Sequence, residues 1–323
     1  MVAKQIVWLS GLVPFEQVEQ IMREIGGKYI SRSSVWRLTS RYGNKLRAVE
    51  ALQEAMLFDY SEMETCETNQ SNERMGASMD GAMIHIREEG WKELKVGCMF
   101  DIEKKLENDP HIQGENITCQ TTHNSYVAHL GSPTVFGKKL WTEAHQRNWE
   151  KAKETLIIGD GATWIWNLAN EHFYNSLQLV DWFHATEHLS NASKVIFGED
   201  TPIGKHWFEH WKTKLYLGRI DHLVRSMNNQ AKKQPHKKDA IRKEVIYFQN
   251  NSTRMNYQDL QIEGYPIGSG MVESAGKQYK ARFCGSGMHW SRKGAENLLP
   301  IRTAILSKRF DFAWKQAYIP PPN

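Results

Sequence analysis

The sequence predicts an α/β protein: an RNase H-like core interrupted by an all-helical insertion and preceded by a helical N-terminal region. Three observations predict it. Apolar residues recur at helical spacing up to about residue 75, then give way to β-forming runs separated by turn residues, and from Ala185 to about Gly264 the pattern is again helical and basic. The expected divisions are 1–75, 76–184, 185–264 and 265–323. A chain of 323 residues has room for one large or two modest domains and can bury a core without disulfides.

In the first region, Pro14 followed by Phe15, Val18, Ile21, Met22 and Ile25 gives one amphipathic helix, ended by Gly26-Gly27. A second helix follows Ile30, with Ser31 or Ser33 as N-cap, with Val35, Trp36 and Leu38 facing inward, and with Gly43 as its end. Helix, glycine-containing turn and a helix carrying Arg32, Arg37, Ser40 and Arg41 have the outline of a helix-turn-helix, in which Arg37 or Arg41 would read base edges. The competing reading is an ordinary helix pair. A third helix from Asn44 to Leu57 and a polar linker from Glu62 to Gly76 complete the region.

Residues 77–86, 93–101 and 117–130 read as a three-stranded antiparallel meander. A helix from Thr134 to about Lys153 follows, with Phe136, Leu140, Ala144 and Trp149 on its apolar side. Glu154 to Asp160 is a short strand of the buried type, a helix runs through Trp164, Trp166 and Leu168, and Leu177 to Val180 is a last strand ending in Asp181. Three strands, helix, strand, helix, strand is the order of an RNase H-like core. In that layout the first and fourth strands are neighbours, which would set Asp80 beside Asp160. In the insertion, Trp207, Trp211, Leu215, Ile220 and Leu223 fall at core-like spacing, and the run Lys232 to Lys238 is a basic turn.

Three carboxylates stand out: Asp80 in Met79-Asp80-Gly81, Asp160 in Gly159-Asp160-Gly161 and Glu273 in the opening of a helix after Gly268-Ser269-Gly270. Each has a plain alternative, since Asp before Gly is commonly a turn residue and a Glu in a first helical turn serves the helix dipole. Their conjunction points further: both Asp sit at carboxyl ends of predicted strands, where open α/β sheets place ligands. Two strand-borne Asp and one helix-borne Glu supply the hard oxygen ligands of two divalent cations in phosphodiester chemistry. Lys277 and Lys280 lie one and two turns beyond Glu273 on its helical face. From Gly276 to Lys293 there are five basic residues, Arg282 among them, and no acidic one, with Tyr279, Phe283 and Trp290 interleaved. That composition suits a polyanion, and equally a solvated basic face.

Composition excludes some classes. The formal net charge is only +4, and the four cysteines, Cys66, Cys98, Cys119 and Cys284, form no CxxC pair, so neither a zinc knuckle nor a secreted disulfide framework is indicated. A reducing, intracellular setting is the simpler reading. The run Ile6-Val7-Trp8-Leu9 is too short for a signal peptide and leads to Pro14, and no apolar stretch is long enough to span a membrane.

Four segments in order carry a resemblance over nearly the whole chain. They are Met79-Asp80-Gly81 with Glu89-Gly90-Trp91-Lys92-Glu93; Gly159-Asp160-Gly161-Ala162-Thr163-Trp164-Ile165-Trp166; Val180-Asp181-Trp182-Phe183-His184-Ala185; and Pro266-Ile267-Gly268-Ser269-Gly270-Met271-Val272-Glu273-Ser274. The chain resembles the DDE transposases of bacterial insertion sequences, closest to the ISKra-type family. The resemblance implies that Asp80, Asp160 and Glu273 are the catalytic triad holding two Mg2+ (or Mn2+) ions. It also implies that Lys280, seven residues beyond the Glu, contacts DNA and that Asp181 and His184 match an accessory Asp-x-x-His signature. It further implies double-stranded DNA as partner, a homo-oligomer on that DNA, and a cytoplasmic, nucleoid-associated setting. Members carry further N-terminal sequence, so a truncated copy or a late start is expected here. Two other classes compete: a catalytically silent remnant acting only as a DNA-binding protein, and a paired-carboxylate glycosidase using the abundant Trp for sugar stacking. The second leaves the basic, glycine-rich surroundings of Glu273 unexplained.

Overall fold

The structure, a computed structural model, describes residues 2–60, 73–107, 116–285 and 287–318. Most of the expected linker, Cys66 and the Pro320–Pro322 tail lie outside the described residues. The centre is a five-stranded mixed sheet of β1 (Arg74–Ile86), β2 (Gly90–Glu107), β3 (Asn116–Leu130), β4 (Glu154–Gly159) and β5 (Leu177–Val180), in the order β3-β2-β1-β4-β5. β1, β2 and β3 pair antiparallel, while β4 and β5 run parallel to β1.

The burial of β1 follows from its partners. Its first half, Met75 to Met79, lies between β2 and β4 and is buried at every position. Beyond Asp80 its strand partner is β2 alone, with a single bridge from Ile86 to Trp290, and burial then alternates, with Ala82, Ile84 and Ile86 inside and Met83 outside. A continuous buried run followed by period-2 alternation is what two covered faces and then one covered face demand. The sequence reading gives a strand over 77–86 yet sets Asp80 at the carboxyl end of a strand; the strand is as predicted and Asp80 is inside it. The strand continues for six residues beyond Asp80, and only its parallel pairing ends there.

Helices cover both faces. α4 (Pro133–Gln146) packs Phe136 and Leu140 onto Gly97, and a Cβ on Gly97 would lie 2.7 Å from Leu140 Cδ1. α11 (Gly270–Phe283) lies on the opposite face, where Gly276 approaches Asp80. α5 (Thr163–His172) joins β4 to β5, with Ile165 against Gly159. The insertion is all-helical, with α6 (Trp182–Phe197), α7 (Pro202–Tyr216), α8 (Ile220–Lys233), α9 (Lys238–Asn251) and the short α10 (Tyr257–Ile262). Leu189, Leu215, Leu223, Met227, Ile241 and Phe248 make its interior continuous with that of the sheet. No helix among the described residues is long and apolar enough to cross a membrane.

The N-terminal helices are α1 (Val2–Leu12), α2 (Phe15–Glu24) and α3 (Arg32–Ala55). Ser31 is the cap of α3, its hydroxyl accepting from Ser34 N–H, and Ser33 lies inside the helix. Two expectations change. Gly43 does not end a helix, because α3 runs through it for 24 residues, and Trp36 points to solvent rather than inward. The glycine is there for close packing: a Cβ at Gly43 would fall on the Asn297 carbonyl of α12 (Arg292–Leu306). Interior glycine costs a helix about 0.5–1 kcal/mol, which this close approach to α12 offsets. The connection between α2 and α3, residues 25–31, is longer than the roughly three to four residues joining the helices of a helix-turn-helix. Val7, Tyr42 and Leu46 share one cluster with Ile301 and Phe310, so α1 and α3 pack directly against the C-terminal helices.

Gly43→Ala is therefore expected to lower unfolding stability by about 2–3 kcal/mol, the cost of overpacking a tight contact, despite alanine's better helix propensity. A urea denaturation midpoint equal to or above that of the unsubstituted protein would show that α3 and α12 are not held this close.

Candidate functional site

Sheet register puts three aspartates in one row. The last β1–β4 pair is Met79 with Gly159, and the last β4–β5 pair is Gly159 with Val180. The next residue on each strand is Asp80, Asp160 and Asp181, side by side at the carboxyl edge of the three parallel strands. Asp181 N–H donates to Gly159 O at 2.8 Å, keeping the row in register one residue past the sheet.

Their hydrogen bonds then separate them. Asp181 is fully buried and caps α6: its Oδ1 accepts from Phe183 N–H at 2.7 Å and His184 N–H at 2.9 Å, and its Oδ2 accepts from Ser269 N–H. Three backbone donors occupy both oxygens, and the last of them ties the α6 start to the turn that precedes α11. Asp160 accepts from Ala162 N–H at 2.7 Å, which closes the turn into α5 through Gly161 at φ +103°. Asp80 Oδ1 accepts from Gly81 N–H at 2.7 Å, and its Oδ2 faces Gly276, where a Cβ would lie 3.7 Å away.

Glu273 lies in the first turn of α11, whose N-cap Ser269 makes no side-chain capping bond. One carboxylate or imidazole atom each of Asp181, His184 and Glu273 lies within 4.8 Å of the others. Asp80 belongs to the same neighbourhood. Burial pushes its carboxyl above the ordinary range, the Gly81 N–H pulls it back, Asp160 pushes it up again, His184 pulls down and Glu273 adds a further push. Acids that raise one another in this way favour a cation between them. Carboxylate oxygens suit a hard divalent cation, and among those here Asp181 accepts three N–H donors while Asp80 and Asp160 accept one each.

A cleft of about 280 Å³ opens over this cluster, with Asp80, His184 and Glu273 in its floor and Lys277, Lys280 and Phe183 among its walls. Glu273, Gly276, Lys277 and Lys280 fall at i, i+3, i+4 and i+7 and so share a face of α11, as the spacing predicts. Asp160 does not line the cleft; it acts on Asp80 from the neighbouring strand. Arg37 and Arg41 are exposed one turn apart on α3 and do not line it either.

Arg282 needs correction. It was expected on the DNA-facing surface, but it is 2 % exposed, its guanidinium lying over the rings of Phe15 and Trp290 and donating to Ser10 O at 2.8 Å. Burial, with Arg302 adding to it, lowers its pKa to about 10. Arg302 donates to Gly11 O at 3.2 Å, so two buried arginines serve the last turn of α1, where carbonyls lack helical partners and cations are favoured. Lys277 and Lys280 are exposed while Arg282 is not, because Arg282 stands on the opposite side of α11.

Sequence reasoning missed the support that the insertion gives Asp160. Tyr247 of α9 donates its hydroxyl to Asp160 O at 2.9 Å, and its ring fills the space over Gly161, where a Cβ would lie 2.7 Å from Cε2. His188 stacks on that ring at 3.5 Å between centroids and pairs with Glu244 at 2.6 Å. Nothing at position 247 signals this contact locally. Gly276, three residues after Glu273, was legible as a point of close approach but was not assigned to one.

No protein-family model matches this chain, and no curated protein matches it either.

Because Asp181 answers three backbone donors, Asp181→Ala is expected to destabilise the fold by about 3 kcal/mol, whereas Glu273→Gln should shift stability by less than about 1 kcal/mol. Equal losses for the two variants in chemical denaturation would contradict this division of roles.

Proposed function

We propose that the protein is a DDE-type transposase with an RNase H-like core, which cuts and joins DNA strands at the ends of an insertion element. The observations that support this reading are the adjacency of Asp80 and Asp160 at the carboxyl edge of two parallel strands and a cleft lined by Asp80 and Glu273 together with Lys277 and Lys280. The strand order β3-β2-β1-β4-β5, with the last two parallel to the first, supports the RNase H-like assignment. Lysines in the wall favour a polyanion over a neutral sugar.

In this reading Asp80, Asp160 and Glu273 hold two magnesium or manganese ions. When bound, such ions activate the attacking oxygen and stabilise the leaving oxygen of a phosphodiester. Water or a DNA 3′-hydroxyl attacks phosphorus, the P–O3′ bond of the strand breaks, and the departing oxygen leaves as a 3′-hydroxyl after taking up a proton. The residues of the chain place the reactants. Lys277 and Lys280 hold the phosphates flanking the cut, and Asp181 fixes the α6 start and the Ser269 turn so that His184 and Glu273 face the floor. Gly276 leaves Asp80 room beside α11.

Asp80→Asn, Asp160→Asn and Glu273→Gln are each expected to reduce magnesium-dependent cleavage of a labelled duplex carrying the element's ends on the order of 10³-fold or more, with binding to that duplex retained. Cleavage near the unsubstituted level in any of the three would sink the assignment of that residue. Binding without cleavage by the unsubstituted protein would instead identify a silent DNA-binding remnant.

Lys280→Ala is expected to weaken DNA binding and to flatten the slope of log K against log salt by about one phosphate contact, with folding unchanged because the side chain is exposed. An unaltered slope would reduce Lys280 to a solvated helix residue.

A further inference from the structure

We propose that Phe183 is a stacking platform for an unpaired nucleobase next to the phosphate held in the cleft. The inference rests on the nucleic-acid reading of that cleft. Phe183 stands between Asp181 and His184 in the first turn of α6, lines the cleft with Lys277 and Lys280, and is 64 % exposed. What sets this exposed ring apart is its place, at the mouth of a charged cleft and with a face open to a ligand.

Its exposure is not looseness. Phe183 N–H donates to Asp181 Oδ1 at 2.7 Å and Phe183 O accepts from Thr186 Oγ1 at 2.9 Å, so the backbone is held on both sides. The ring rests over Gly268, where a Cβ would lie 3.0 Å from Cε2 and 3.3 Å from Cδ2, so glycine makes the seat. The adjacent Trp182 already supplies the apolar packing of this turn, with Tyr257 at 4.8 Å and Tyr216 at 5.9 Å between ring centroids. Phe183 is thus a seated aromatic ring with open surface.

Its surroundings select the occupant. The cleft sets Lys277 and Lys280 beside the carboxylates Asp80, Glu187 and Glu273. Where divalent cations answer those carboxylates, as the proposed function has it, the two ammonium groups are left to hold a phosphate backbone, and the flat apolar group that such a backbone carries is a base. Bases inside an intact duplex are stacked on their neighbours and closed to a side chain, so the ring can receive only an unpaired or end base. The subsite therefore favours DNA whose strands have parted beside the phosphate to be cut.

The test uses the full chain and a short mixed-sequence single-stranded oligonucleotide carrying 2-aminopurine, whose fluorescence falls when it stacks on an aromatic ring. The unsubstituted protein should quench it. Phe183→Ala should abolish the quench and weaken single-strand binding about 10-fold while changing affinity for a blunt duplex less than about twofold, and Phe183→Trp should restore both effects. An oligonucleotide of the same length with abasic sites throughout should bind the unsubstituted protein and Phe183→Ala alike. Quenching and affinity untouched by Phe183→Ala would overturn the subsite and leave the transposase reading standing. Failure of the unsubstituted protein to bind either DNA would overturn both.

Discussion

The parallel register of β1, β4 and β5 is the constraint on which the rest of the site depends. It sets Asp80, Asp160 and Asp181 one residue past the last ladder pairs, so three acidic side chains stand in one row. Such a row is costly unless each charge is answered, and the three are answered differently. Asp181 is buried and met by three backbone N–H groups, and so becomes a structural pin. Asp160 is folded into its own turn and propped by Tyr247. Asp80 is left as the strained member, its carboxyl pushed up by burial and by its acidic neighbours. Asp80, the one of the three whose carboxyl is raised, is also the one that lines the cleft.

Bringing α11 onto this row creates a second constraint, since the helix must carry Glu273 over the sheet without covering Asp80. Gly276 meets it by presenting no side chain there. The other side of α11 buries Arg282, and the neighbouring Arg302 joins it in capping α1. The N-terminal helices are thereby joined to the helix that carries Glu273, and Gly43 brings α3 equally close to α12.

Much of the core was legible because strands announce themselves by local pattern. β4 and β5 begin and end within a residue of their predicted limits, and the adjacency of Asp80 and Asp160 follows from strand order. The shared face of Glu273, Lys277 and Lys280 was readable from helical spacing alone. What failed depended on partners distant in sequence. Gly43 reads as a stop signal until Asn297 is seen against it, and Arg282 reads as part of a basic surface until Ser10, Phe15 and Trp290 enclose it. Tyr247 sits 87 residues from Asp160, and no local periodicity encodes that contact.

The central claim is that Asp80, Asp160 and Glu273 jointly hold divalent cations above this sheet edge. It is tested most directly by titrating manganese(II) into the protein with DNA bound and following free ion by electron paramagnetic resonance. Saturable binding approaching two ions per chain is expected, lost when Asp80 and Glu273 are neutralised together and kept when Phe183 is replaced. Binding that is absent in the unsubstituted protein, or unchanged in the doubly neutralised one, would contradict it.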